Sequence, residues 1–162
     1  MPQEFSAGAV IFHRAENKIK YLLLRYFQES TGTPGYWGFV KGHIEPNEDI
    51  KLTVTRETEE ETGLRDLSFV GDFRIRDEYF FKRRNTKNYF ETVHKEAIYF
   101  LVESKTNAIT LSPEHCDYKW LEYQQAREQL THESMRKILD KADSRLKQIN
   151  TADFYDNNGG NK

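Results

Sequence analysis

The chain has 162 residues, 24 of them basic and 26 acidic, for a formal net charge of −2. That length suits one domain able to bury its own core, and the near-balance of charge excludes the basic footprint of a dedicated DNA binder. Cys116 is the only cysteine, which excludes an internal disulfide, and no apolar run approaches membrane-spanning length. The N-terminus lacks a basic-then-apolar leader, so a cytoplasmic protein with no membrane partner is expected.

Elements follow in chain order. Phe5 to His13 alternates through Ala9, Val10, Ile11 and Phe12 as a strand, and Tyr21 to Phe27 (YLLLRYF) forms a second, mostly buried one. Glu29 to Tyr36, with Gly32, Pro34 and Gly35, reads as a loop, and Trp37-Gly38-Phe39-Val40 as a short apolar bridge. Pro46-Asn47-Glu48-Asp49 supplies a turn, a capping side chain and acids for the first turn of a helix that Gly63 stops. Ile50, Val54 and Thr58 form its buried stripe. Leu67 to Arg76 is strand-like, with Tyr79 to Phe81 as a possible extension, and Lys82 to Asn88 (KRRNTKN) reads as a polar, basic connector. Phe90 to Val102 is another strand. Tyr118 to Leu121 precedes a helix through Ala126 to Leu130, and a last helix runs from about His132 to Leu146 on Met135, Ile138 and Leu139. Residues 1–150 form one domain, and 151–162, with Gly159-Gly160, a polar tail expected to be mobile. Trp37 and Trp120 read as core, and Cys116 as inert.

The most informative stretch is Gly42 to Leu64, GHIEPNEDIKLTVTRETEEETGL. It crowds Glu57, Glu59, Glu60 and Glu61 around Arg56 in the last turns of the helix, where the backbone dipole already carries negative charge. Glu57 repels Glu60 and Glu61 across one turn at roughly 0.2–0.5 kcal/mol per pair. At about 100° per residue Glu57, Glu60 and Glu61 share a stripe bordered by Arg56, while Glu59 points to solvent. Arg56 can hold one carboxylate in a forked geometry. Taken alone, an acidic run is a solvated helix face. So much unfavourable charge on one turn is accounted for if a hard divalent cation sits there.

The pattern of Gly42, Glu48, Arg56-Glu57, Glu60-Glu61 and Gly63-Leu64 resembles the Nudix box at every charged and glycine position. Thr58 departs from it, standing where the family prefers an aliphatic residue; its methyl can be buried and its hydroxyl bonded to a backbone carbonyl, with a slightly softer core as the cost. From about Ser6 to Ala142 the chain further resembles the asymmetrical diadenosine tetraphosphate hydrolases of that family, through SAGAVIF, YLLL, WGFVKGHIEPNED, KEAIYFLVE and SPEHCDYKWLEYQQA. The resemblance implies an α/β fold, the Nudix α/β/α sandwich with a mixed sheet flanked by helices. It implies a Mg²⁺-dependent hydrolase, with Mn²⁺ as a substitute, in which Glu57, Glu60, Glu61 and the Gly42 carbonyl hold the metal. Arg56 and Glu48 would orient those ligands, and Glu61 or Glu114 would serve as base.

Lys41, His43 and Lys95 are the candidate phosphate contacts, and Tyr79, Tyr99 and Tyr118 the candidates to stack on a base. Lys82, Arg83, Arg84 and Lys87 are either solvated or a looser electrostatic aid. Three readings follow. A monomeric enzyme would cut a dinucleoside tetraphosphate into nucleoside triphosphate and monophosphate. A related enzyme would process RNA 5′ ends. A non-catalytic nucleotide or RNA sensor would keep the scaffold only, and the intact carboxylates argue against it.

Overall fold

The computed structural model describes residues 1–159, with side chains through Ile149. Its strands are β1 (Gln3–Ala15), β2 (Lys18–Phe27), β3 (Pro34–Gly38), β4 (Val40–His43), β5 (Leu67–Arg84), β6 (Phe90–Ser104) and β7 (His115–Leu121). The helices are α1 (Ile50–Thr62), α2 (Tyr123–Gln129) and α3 (Glu133–Gly159). The strands join in one seven-stranded sheet of order β3-β2-β1-β6-β5, with β4 on β1 and β7 on β2. Among the described residues only β1 and β6 run parallel, which makes the sheet mixed.

Alternation along β1 sorts the core into two layers. Ala7, Ala9 and Ile11 face α1 together with Val54, Leu64 and Phe100. Val10 and Phe12 face α2 and α3 with Leu23, Tyr99, Leu130 and Leu139. Helices on both faces of a mixed sheet give the expected Nudix sandwich. β1 also changes neighbour along its length: Ser6 to Ala9 pair with β4, and Phe12 to Ala15 with β2. The sheet splays where that change occurs, and Lys41 and Gly42 of β4 enter there opposite Gly8 and Ala7.

Several sequence expectations need correction. The basic segment is no connector: β5 continues through Arg84, and only residues 85–89 turn. Asn85 fixes that turn, its side chain accepting from the N–H groups of Lys87 at 2.9 Å and Tyr89 at 3.0 Å. The segment read as a loop up to Tyr36 ends in strand β3 from Pro34 onward. Trp120 is only partly buried, its indole N–H donating to the Asn107 carbonyl at 3.0 Å. Apart from these corrections, the tail expected over 151–162 lies on side chains outside the described residues: α3 is described in backbone to Gly159, and 160–162 lie outside altogether.

Helix α1 is capped largely as expected. Asp49 accepts from the Lys51 N–H at 3.0 Å, and Gly63 closes the helix at φ 77, a left-handed conformation that costs glycine nothing. Its first turn holds no acid, because Glu48 precedes the helix and folds back to Arg56. Thr58 is fully buried, yet its hydroxyl finds no partner rather than the expected carbonyl. Thr58→Val removes that orphan at constant shape and should raise stability by about 1–3 kcal/mol, read as a higher midpoint in urea at unchanged slope.

Candidate active site

Arg56 organises the acidic turn. Its Nε and Nη2 donate to the two oxygens of Glu48 at 2.8 and 2.9 Å, a bidentate fork. Nη1 donates to Glu57 at 2.8 Å and Glu60 at 3.3 Å, and Nη2 also reaches the His43 carbonyl at 3.1 Å. Glu48 is fixed from its other side by the Thr53 hydroxyl at 2.6 Å. Together these donors hold the Glu48 carboxyl down at about 2, with Arg56 the main cause.

A carboxylate depressed in this way adds stability above its ordinary value of 4.5 and loses it as pH falls towards 2. Glu48→Gln should therefore flatten the acid limb of a stability-versus-pH curve between those values. An unchanged limb would show that the fork does not couple to folding.

Gly42 meets the cluster at closest range. A Cβ built there would lie 1.9 Å from Cδ of Glu57 and 2.1 Å from its Oε1, so glycine is required for Glu57 to lie against β4. Burial raises the Glu57 carboxyl, with Arg56 pulling the other way.

Glu61 turns inward instead. It is 2% exposed, and its Oε2 has no hydrogen-bond partner. Burial, then the charges of Glu57 and Glu114, push it up to about 9 against a hydrogen bond from the Lys41 backbone. Glu114 itself is exposed, at the mouth of β7, and its charge acts on both Glu57 and Glu61.

The carboxylates named from the sequence are thus neighbours held in separate postures: Glu57 and the exposed Glu60 on Arg56, Glu61 in the interior. Among the described residues no three acidic, His or Cys side chains converge tightly enough to enclose a metal in this arrangement. The donor set nevertheless fits a hard divalent ion, being all oxygen, with one buried carboxylate oxygen left without a partner.

Sequence reading missed three residues of this floor. His115 is buried, with Nδ1 3.0 Å from the Ser112 hydroxyl and Nε2 3.7 Å from Glu61 Oε1. Burial lowers its pKa to about 4, so it is neutral at neutral pH. The Tyr26 ring packs edge-on against His115 at 4.4 Å and stacks on Tyr36 at 4.6 Å. Tyr26 donates its hydroxyl hydrogen to the Phe39 carbonyl.

Beyond this floor lies a cavity of about 370 Å³, lined by Tyr36, Phe39, Lys41, Asp77, Tyr79, Tyr99, His132 and Met135 among others. Three sequence-predicted contacts, Lys41, Tyr79 and Tyr99, therefore meet in one place. Lys95 pairs with Tyr79 across the ribbon, and its charge reaches Lys41. Burial first, then Lys95, lowers Lys41 to about 8. Tyr118 stands apart, exposed on β7 and absent from the cavity wall, and the His43 side chain faces solvent.

A mixed sheet between helices, with a glycine-bounded acidic helix under an aromatic cavity, defines the class. The NUDIX domain model matches residues 3–142, and the chain belongs to the Nudix family and is a hydrolase. It is 34% identical to the asymmetrical bis(5′-nucleosyl)-tetraphosphatase of Mus musculus over 131 residues, covering 75% of this chain and 80% of that one. It is 29% identical to an RNA pyrophosphohydrolase from a Nitratiruptor species, covering 72% and 76%. A crystal structure of a C. elegans Ap4A hydrolase binary complex superposes with a TM-score of 0.73 at 27% identity, over 90% of this chain and 98% of that one. Nudix hydrolases generally use a divalent metal, and among the described residues no helix is long and apolar enough to cross a membrane.

Proposed function

We propose that this chain hydrolyses bis(5′-nucleosyl) tetraphosphates asymmetrically, with Mg²⁺ as its metal and Mn²⁺ as a substitute. The observation that carries the reading is the buried, partnerless oxygen of Glu61, set among Glu57, Glu114 and Lys41 beside the aromatic cavity. Relatives named for that activity support it.

Glu57, Glu60, Glu61 and the Gly42 carbonyl would hold the metal. When bound, it neutralises phosphate charge and lowers the pKa of water at the site. Arg56 keeps Glu57 and Glu60 in place, and Glu48 fixes Arg56. The proton lost by the attacking water goes to Glu61 or Glu114. Lys41, Lys95 and His43 take the phosphate chain, while Tyr79 and Tyr99, with Tyr36, enclose a base in the cavity. Tyr118, outside that wall, is left to a second nucleoside.

A second reading, attack on the 5′ phosphates of RNA, is favoured by the RNA pyrophosphohydrolase relative and by the cationic β5–β6 ribbon. Product analysis in ¹⁸O-labelled water with Mg²⁺ separates the two. ATP plus AMP from diadenosine tetraphosphate, labelled on AMP alone, is the expected result. Release from capped or triphosphorylated RNA only would replace the first reading with the second.

A further inference from the structure

The β5–β6 ribbon has two faces, and only one looks into the cavity. From Arg74 to Arg84 the register with β6 is regular, so Arg74, Arg76, Glu78, Phe80, Lys82 and Arg84 share the α1 side of the sheet with their partners Phe100, Ile98, Glu96, His94, Thr92 and Phe90. Phe5 of β1 lies on the same side, beside Glu96. Phe5, Phe80 and Phe90 are 48%, 60% and 68% exposed, large rings on three neighbouring strands of that side of the sheet. Tyr89 in the adjoining turn is 71% exposed.

These rings are held in order. Phe80 stacks on His94 at 4.9 Å and 25°, and the Arg84 guanidinium sits 4.9 Å over Phe90. Glu78 and Glu96, the acids of this face, are both engaged by Arg76, at 3.4 and 2.6 Å. Lys82 and Lys87 have no ion-pair partner among the described residues. Flat apolar rings rimmed by uncompensated cations suit a polyanion that offers π faces of its own. A second copy docked about a two-fold axis would instead bring Lys82 and Arg84 against like charge.

We propose that this face is a stacking platform for single-stranded RNA, separate from the catalytic cavity. Phe5, Phe80 and Phe90, in that order along the face, each stack on a base, and Lys82, Arg84 and Lys87 take phosphates of the same strand. β5 is the edge strand of the sheet, so the platform and the Tyr79 wall of the cavity lie back to back across one strand.

The test uses an oligoribonucleotide of about 12 residues with a 5′-hydroxyl and a 3′ fluorophore. It contains no phosphoanhydride, so the outcome is independent of which substrate the active site cuts. Anisotropy should show binding at about 50 mM salt that weakens towards about 200 mM. Phe80→Ala and Phe90→Ala should each weaken it about ten-fold or more. Lys82→Gln with Arg84→Gln should reduce the salt slope by about 1.4. All four side chains are exposed, and an unchanged Tm in each variant reports an intact fold. The proposal is overturned by absence of binding at the lower salt, by salt-independent binding, or by variants that bind like the wild type. Sedimentation showing a dimer that Phe80→Ala and Phe90→Ala dissolve would overturn it as well, and would assign the face to a second copy.

Discussion

Glu61→Gln should lower turnover by about 10³-fold while leaving a folded protein. The side chain is 2% exposed with one oxygen unpartnered, and burial already favours its neutral form without metal, so glutamine is a neutral replacement of the same shape. The metal-free variant should therefore melt no lower than the wild type. That combination separates a functional carboxylate from a structural one. A variant retaining near-normal kcat would remove Glu61 from the chemistry, and one that fails to fold would make it a structural group.

Gly42→Ala should have the second largest effect, about 10²-fold in kcat, the cost of misplacing a positioned group by an ångström or so. The added methyl would collide with the Glu57 carboxyl, built at 1.9 Å from its Cδ. That carboxyl is the end of a flexible side chain, so it can swing aside and spare the fold. In leaving, it breaks its 2.8 Å bond to Arg56 and vacates the position the mechanism needs. Activity should thus fall far more than Tm. An equal loss of both would mean that β4 itself had moved. Full activity would mean that Glu57 acts elsewhere.

Both predictions start from residues visible in one short stretch of sequence. Asp49 and Gly63 bound α1, and its spacing puts Glu57, Glu60 and Glu61 near Arg56, because caps and helical periodicity are local. The split among those carboxylates was not visible: whether one points at Arg56 or inward depends on where β4 and β7 pack. His115, Tyr26 and Tyr36 come from β7, β2 and β3, and meet only because β2 pairs with both other strands. No local spacing announces such a group.

The far half of β5 is hidden in the sequence for a different reason. Lys82, Arg83 and Arg84 look like a connector by composition, yet charged residues are what an exposed edge strand carries to discourage unwanted pairing. Whether Tyr118 shares a wall with Tyr79 and Tyr99 is likewise set by the register of β7, which places it outside the cavity. The orphaned Thr58 hydroxyl, too, depended on packing rather than on helix geometry.

On the proposed function, the crowded acids of α1 persist because a divalent cation neutralises them and serves phosphoanhydride hydrolysis. Calorimetric titration of Mg²⁺ into wild type and Glu61→Gln, each with and without a nonhydrolysable dinucleoside tetraphosphate, decides the matter. Uptake by the wild type that is lost or strongly weakened in the variant is the expected result. No uptake by the wild type, with or without the dinucleotide, would contradict it.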